Sequence, residues 1–372
     1  MSGDGRGGEG GTEGENSDGE RGGTVDRGAD GVGSADKVGR RSRLLKATGI
    51  ALGCVLTLSL AGAAWAYWHL NHNIDSVDIN SALGDDRPAR AMVTPDGAAS
   101  PLPSGALNIL VLGSDSRSGE RNATLGGGGE SSGARSDTAM VVHIDEGRTG
   151  ATIVSIPRDT LVTRPACPRE SGGSTSVAYN AMFNSAYSVG GPVCAVKTVE
   201  SMTNVRMDHY IEIDFAGFAD LVDALGGVTV TTDEDISDED SHLELEAGTH
   251  HLNGKQALAL ARTRHGIGDG SDLGRIGLQQ TLVKALLDQV SATDLLTNPA
   301  KLYNVAETLT DSLTTDTDLD SLSELMSLGQ SLSGLSSADT RTVTMPVVPA
   351  PFDRNRVVAD EPEAGELWES LR

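Results

Sequence analysis

An uncharged, mostly apolar run from Ala47 to Leu70 constrains this chain more than any other feature. A helix needs about 20 apolar residues to cross a hydrocarbon core, and this run is long enough. Lys37, Arg40, Arg41, Arg43 and Lys46 stand directly before it, and a basic flank of that kind stays on the cytoplasmic side. Trp65, Tyr67 and Trp68 fall where an outer belt of aromatic rings belongs. The expected topology is a single-pass signal-anchor, with a cytoplasmic N-terminus and the bulk of the chain outside the cell membrane. A cleaved signal peptide competes with it, because Ala64-Trp65-Ala66 has the small-residue pattern of a cleavage site. The run exceeds a usual signal core and the segment before it is long, which favours the uncleaved anchor.

Composition divides the remainder. Residues 1–36 are rich in Gly, Glu, Asp and Ser and cannot bury enough surface to offset chain entropy. Residues 1–46 are therefore expected to form a disordered cytoplasmic tail with a basic flank, and 47–70 the transmembrane helix. Pro88, Pro95, Pro101 and Pro103 among small polar residues mark 71–104 as a linker. A globular domain over 105–351 and a C-terminal tail over 352–372 complete the expected organisation.

The net charge of −24 argues against nucleic acid as a partner, since phosphate backbones are bound by basic surfaces. It leaves room for one local basic pocket. Aromatics are only 3% of the chain, so the core must be built from aliphatic side chains. Leu107 to Leu112 is a short apolar run ended by Gly113, as in a buried strand, and Thr138–Ile144 and Thr152–Ile156 read likewise. Apolar residues every third position from Pro192 to Met202 predict a helix. Tyr210–Ile213 reads as a strand, with Asp214 capping a helix that Gly226-Gly227 ends. Val228–Thr232 follows as a strand. Ile276, Val283, Leu286, Leu287 and Val290 share the face of a later helix. The alternation points to an α/β fold, a central mixed β-sheet flanked by helices in an α/β/α arrangement.

Three cysteines are present, and only Cys167 and Cys194 fall in the outer part. No CxxC pair or Cys/His cluster suggests structural zinc. An exported domain meets an oxidising environment, so these two are expected to form a disulfide, two buried free thiols being the alternative.

Four clusters place Asp or Arg beside strand ends, where α/β proteins put their sites. They are Gly113-Ser114-Asp115-Ser116-Arg117, Arg135-Ser136-Asp137-Thr138, Ser155-Ile156-Pro157-Arg158-Asp159, and Arg262-Thr263-Arg264 followed by Asp272 and Arg275. The planar fork of arginine grips phosphate oxygens bidentately. Arg262 and Arg264, two apart, point the same way if the chain is extended there. Carboxylates among arginines suit Mg²⁺, whose shell substrate phosphates complete. The set reads as a diphosphate site with a metal. The plainer readings stay open at this stage: an ion-paired Arg-x-Arg surface, Asp159 and Asp272 as caps or arginine partners, Asp115 and Asp137 as turn residues. Gly113-Ser114-Asp115 is no nucleophile elbow, and Gly126–Gly129 lacks the Lys of a P-loop. His250-His251 reads as solvent-facing, and Gly266–Gly270 as a flexible connection.

At these clusters the chain resembles the LytR-CpsA-Psr family of cell-envelope proteins, in its actinobacterial form. The likeness rests on Asn108 to Arg117, Arg135-Ser136-Asp137, Ser155 to Asp159, Asn184 with Ala186, and Gly190-Gly191. It continues through Gly226-Gly227-Val228, Leu252-Asn253-Gly254, Arg262-Thr263-Arg264, and Asp272-Leu273-Gly274-Arg275 with Gln279-Gln280. The resemblance implies an Mg²⁺-dependent phosphotransferase that moves a glycopolymer, such as teichoic acid, capsule or arabinogalactan, from a polyprenyl-pyrophosphate carrier to a peptidoglycan hydroxyl. By that likeness Asp115 and Asp137 would hold the metal. Arg135, Arg158, Arg262, Arg264, Arg275 and Gln279 would hold the pyrophosphate, and the lipid tail would lie between sheet and helices. Asp115, Asp137, Arg135 and Arg158 would be the catalytic set. Leu278 stands where the family often has Arg, and Ala123–Gly133 is longer than usual. Hydrolysis of the carrier is the alternative reaction. A membrane-bound regulator or glycopolymer-binding protein without turnover is the alternative class.

Overall fold

The computed structural model describes residues 35–90, 105–114, 136–169, 172–264, 272–293 and 298–372. The chain divides into two compact units, residues 1–63 and 64–372. In the first, helix α1 (Ala35–His72) starts ahead of the apolar run, so the basic flank is already helical. Its stretch Thr48–His72 is long and apolar enough to cross a membrane. Ile50, Leu52, Val55, Leu56, Leu58 and Leu60 all stand exposed along it. Residues 1–34 of the tail expected over 1–46 lie outside the described residues.

The second unit is built on a seven-stranded sheet. Its strands are β1 (Asp75–Val77), β2 (Leu107–Ser114), β3 (Ser136–Ile144), β4 (Ala151–Ser155), β7 (His209–Asp214), β12 (Leu313–Asp316) and β13 (Thr340–Thr344). They run in the order β1-β12-β7-β2-β3-β4-β13, while β5 (Leu161–Arg164) pairs with β6 (Ala178–Met182), β8 (Val228–Thr232) with β11 (Gly248–Leu252), and β9 (Ile236–Asp238) with β10 (Leu243–Leu245) outside it. β2, β3 and β4 form an antiparallel meander. β7 joins β2 in parallel and β13 joins β4 in parallel, so the sheet is mixed as expected.

Side chains alternate across each strand and so feed two separate cores. On one face Leu110, Leu112, Val141 and Val154 pack against Ala195, Val196 and Val199 of α3 (Asn184–Thr203). On the other, Leu107, Ile109 and Ile144 meet Leu328 of α8 (Leu322–Leu332). A third cluster joins α4 (Phe215–Leu225), α5 (Gly254–Arg262) and α6 (Asp272–Ala292) through Val222, Leu260 and Leu282. α7 (Pro299–Ser312) leads back into the sheet at β12.

Two segments expected to be unstructured belong to the fold. Between 71 and 90 lie β1, which pairs with β12, and α2 (Ile79–Leu83), whose Ile79 enters the core. Arg87 then makes a buried ion pair with Glu200 at 2.6 Å and donates to the Met207 carbonyl at 2.8 Å. The polar composition hid this, because the segment is fastened by one strand, one isoleucine and one arginine. Residues 91–104 of the expected linker lie outside the described residues. At the other end, 352–372 carry most of hairpin β14 (Val347–Ala350) and β15 (Asp353–Ala359), then α9 (Glu363–Glu369). Trp368 and Leu371 are core residues there.

Helix α3 begins eight residues earlier than the apolar spacing predicts, at Asn184, and is broken at Gly190-Gly191 before Pro192 resumes it. Cys167 and Cys194 are bonded with Cα atoms 5.2 Å apart. A Cβ on Gly190 would stand 2.7 Å from the Cys194 Cβ, so only glycine fits beside the bridge. The face of α6 is also rotated from expectation. Its buried residues are Arg275, Ile276, Gln279, Leu282 and Ala285, while Val290 is 47% exposed. A search for apolar residues alone misses a stripe that carries a guanidinium and an amide.

Candidate active site

An apolar cavity of about 610 Å³ lies between the sheet and helices α4 to α7. Val111, Met140, Ile211 and Ile213 of the sheet form its floor, and Phe218, Leu258, Val283, Leu286 and Leu309 its walls. Arg262, Arg264, Arg275, Gln279, Asp238 and Asp240 line the same cavity and supply its polar groups. The expected place for a lipid tail, between sheet and helices, is therefore a real space with charge along part of its wall.

Local sequence sets the helices around it. Asp214 caps α4 by accepting the Gly217 N–H at 2.7 Å. Asn253 and Gln256 form a reciprocal capping box that starts α5. A Cβ on Gly254 would lie 1.9 Å from the Ala219 carbonyl oxygen, so glycine alone lets α5 seat on α4. That seating delivers the end of α5 to the cavity.

Arg262 is the last residue of α5, and not part of an extended chain as its spacing from Arg264 suggests. Its guanidinium sits 5.0 Å from the centre of the Phe215 ring, a favourable cation–π arrangement. Thr263 is fully buried, donating to the Ala259 carbonyl at 2.9 Å and bonded to the Ser241 hydroxyl at 3.0 Å. Arg264 is held by its backbone, whose N–H donates to Asp238 at 2.7 Å. Asp238 also accepts the N–H groups of Asp240 and Ser241 at 2.9 and 3.2 Å. Different supports thus bring the two arginines to the same cavity.

Asp272 links the other two arginines. Its Oδ1 pairs with Arg275, which is 3% exposed, and lies 3.4 Å from Arg158 Nε. Of its two open readings, arginine partner is the one the geometry supports. Gln279 donates to the Thr138 hydroxyl at 2.9 Å and the Ala261 carbonyl at 3.0 Å. Gln280 reaches Ser155 and Thr344 hydroxyls, both at 3.2 Å. Adjacent glutamines thus tie α6 to the ends of β3, β4 and β13.

Of the expected site residues, Arg262, Arg264, Arg275 and Gln279 meet at the cavity, and Arg158 joins them through Asp272. Asp115 and Arg135 lie outside the described residues. Asp137 is described by its backbone alone, which is the extra residue of a β-bulge: Gly113 pairs with Thr138 but Ser114 with Ser136. Bulges of this kind are common beside active sites. Gly266–Gly270 and Ala123–Gly133 also lie outside. Leu278 packs with the third core cluster. His250 and His251 bond to backbone carbonyls of Glu246 and Gly226 and take no part in the site. Sequence reasoning missed Asp238, which is one carboxylate in an acidic stretch and differs from its neighbours only in being buried.

Comparison with known proteins gives the family and the fold. The model of the LytR_cpsA_psr family matches residues 66–372. The chain is 34% identical over 272 residues to the probable cell wall biosynthesis protein LcpB of Corynebacterium glutamicum, covering 71% of this chain and 61% of that one. It is 32% identical over 238 residues to the polyisoprenyl-teichoic acid–peptidoglycan teichoic acid transferase TagV of Bacillus subtilis, covering 63% and 57%. It thus spans less than two thirds of the length of these relatives. The crystal structure of B. subtilis TagV superposes with a TM-score of 0.55 at 28% identity, over 73% of this chain and 97% of that one. By the extent of the family match, confirmed in its fold, this chain belongs to the LytR_cpsA_psr family.

Proposed function

We propose that this protein transfers a glycopolymer from a polyprenyl-pyrophosphate carrier to a hydroxyl of peptidoglycan, on the outer side of the cytoplasmic membrane. One observation carries the reading: an aliphatic cavity with Arg262, Arg264, Arg275 and Gln279 in its wall. The apolar part suits a prenyl chain and the arginines suit its pyrophosphate. The similarity to TagV, a polyisoprenyl-teichoic acid–peptidoglycan teichoic acid transferase, supports the substrate classes.

In the reaction the acceptor oxygen bonds to the sugar-proximal phosphorus, and the bond from that phosphorus to the bridging oxygen breaks. Polyprenyl phosphate departs with the bridging oxygen, and the acceptor proton passes to solvent. Arginines around the departing group neutralise its growing charge, so catalysis is mainly positioning and electrostatics. Arg158 and Arg275, which share Asp272 Oδ1, would grip one phosphate, and Arg262 and Arg264 the other. Arg135 would join them. Asp115, next in sequence after β2, and Asp137, whose backbone forms the bulge at the start of β3, would hold Mg²⁺, because carboxylates are the oxygen donors that ion takes. Bound there, Mg²⁺ would offset phosphate charge. The apolar helix would anchor the protein with its N-terminus in the cytoplasm, its basic flank setting that orientation.

The test is the full-length chain in detergent with a polyprenyl-pyrophosphate-linked saccharide, peptidoglycan fragments and Mg²⁺. A phosphodiester-linked product with release of polyprenyl phosphate is expected. Asp137→Ala should weaken the dependence on Mg²⁺. Cleavage by water alone would make the protein a hydrolase, and donor binding without turnover would make it a binding protein or regulator.

A further inference from the structure

We propose that the β14–β15 hairpin is the acceptor side of this site, with Phe352 and Arg354 engaging the peptidoglycan strand. The inference rests on the transfer reaction proposed above and assigns the substrate that no residue there accounts for. Its first support is the lateral order of elements. β7, β2 and β3 floor the cavity, β4 comes next and leads through Ile156-Pro157 to Arg158, and β13 is the edge beyond it. The hairpin continues directly from β13 past the Met345 N–H, which donates to the Ser155 carbonyl at 3.0 Å. Val357 of β15 bridges to Thr160, and Arg356 Nη1 stands 3.6 Å from Asp159 Oδ1, the residue after Arg158. From the cavity the chain of contacts therefore runs Arg275, Asp272, Arg158, Asp159, Arg356 and the hairpin.

Phosphoryl transfer places the attacking and leaving oxygens roughly in line on opposite sides of phosphorus. Polyprenyl phosphate leaves toward the cavity, because its chain lies there. The hydroxyl must then arrive from the other side of Arg158, which is the edge the hairpin occupies.

The second support is independent of this geometry. The chain has three Trp, five Tyr and four Phe. Beyond the apolar helix, the exposed aromatics among the described residues are Tyr179 and Phe352, at 76% and 66% exposure. Phe352 occupies the turn between β14 and β15, two residues from exposed Arg354. An exposed ring offers a flat apolar face to a sugar ring, and an arginine pairs with the carboxylates of a stem peptide. In a chain of net charge −24 this is an exposed ring and guanidinium at the turn of the hairpin whose Arg356 reaches Asp159.

The experiment compares the full-length chain with Phe352→Ala, Arg354→Ala and Tyr179→Ala. It measures acceptor KM with a peptidoglycan-derived disaccharide-peptide oligomer, donor affinity with a polyprenyl-pyrophosphate-linked disaccharide, and direct binding of the oligomer. The hairpin variants should raise acceptor KM and weaken oligomer binding roughly tenfold, as expected for an interface anchor. Donor affinity and melting temperature should stay at the wild-type value, and Tyr179→Ala should leave acceptor KM unchanged. Unchanged oligomer binding in both hairpin variants overturns the inference, as does an equal loss of donor affinity. Loss of binding to anionic phospholipid vesicles with normal acceptor KM would make the hairpin a membrane contact and also overturn it. If wild-type protein transfers nothing, the reaction proposed above fails, while oligomer binding still decides whether the hairpin recognises the wall polymer.

Discussion

Asp272 and Arg158 come from different elements, one from the first turn of α6 and one from the loop after β4, and meet with Oδ1 and Nε 3.4 Å apart. The same oxygen serves Arg275. One carboxylate therefore keeps two guanidiniums together with little solvent to screen their repulsion, Arg158 and Arg275 side chains being 16% and 3% exposed.

Removing that carboxylate should cost stability first. Asp272→Ala removes the carboxylate that pairs with a buried arginine, a change that typically destabilises by about 3–5 kcal/mol. Inorganic pyrophosphate can occupy the vacated fork, so it should raise the melting temperature of the variant more than that of wild type. Equal melting temperatures for wild type and variant, in the absence of pyrophosphate, would show that Asp272 is only a surface partner.

The arginines of the cavity wall should register in rate. Arg262→Ala and Arg264→Ala each lose a charged contact to the departing phosphate, worth roughly a hundredfold or more in transfer. Arg264→Lys should recover part of it, because an ammonium cannot form the bidentate fork. Exposed Arg341 on β13 serves as a control. If Arg341→Ala and Arg264→Ala behave alike in steady-state assays, the assignment to the pyrophosphate is wrong.

Much of this arrangement is legible in the residues, and the reasons for the gaps are physical. β2, β3 and β4 declare themselves because buried central strands are continuous apolar runs, and Asp214 because a cap precedes its helix directly. The arginines stand out because they cluster in an acidic chain, although Arg262 ends a helix and Arg275 lies within one. Asp238 and Gln280 do not, since each acts through a fold-dependent partner: the Arg264 N–H for one, the Ser155 and Thr344 hydroxyls for the other. The segment holding Arg87 reads as linker because a lone arginine paired with Glu200, more than a hundred residues away, leaves no local pattern.

Gly254→Ala should act at a distance. The new methyl would meet the Ala219 backbone, which has no side chain to swing away. Overpacking of this kind costs typically about 1–3 kcal/mol. The displaced α5 should carry Arg262 with it, raising donor KM together with the loss in melting temperature. A variant with normal donor KM would show that the seat of α5 does not set the arginine.

Acid should weaken the domain through His143. The ring is buried on β3, with Nδ1 2.8 Å from the Asn108 amide oxygen. Desolvation holds its pKa below the ordinary 6.5, against the opposing pull of Asp145 and Asp208. The unfolded chain therefore takes up a proton at a higher pH than the native one. Stability from this group is present above pH 6.5 and is lost as pH falls toward the native value. Melting temperatures measured from pH 7.5 down to about 5 should fall less steeply for His143→Gln than for wild type. Parallel curves would remove His143 from the explanation.

The central sheet takes its edges from distant parts of the chain, β1 at residues 75–77 and β13 at 340–344. β4 is made early, in the meander with β2 and β3, yet its outer backbone groups wait for β13. On the proposed topology, a chain threaded outward from its anchor would hold that row of donors and acceptors open until the last quarter of the domain arrived. Open strand edges on slow, non-local sheets invite pairing with the wrong chain. Changes within 340–371, including the core residues Trp368 and Leu371 that close over the same face, should therefore register in secretion yield and misassembly before they register in turnover.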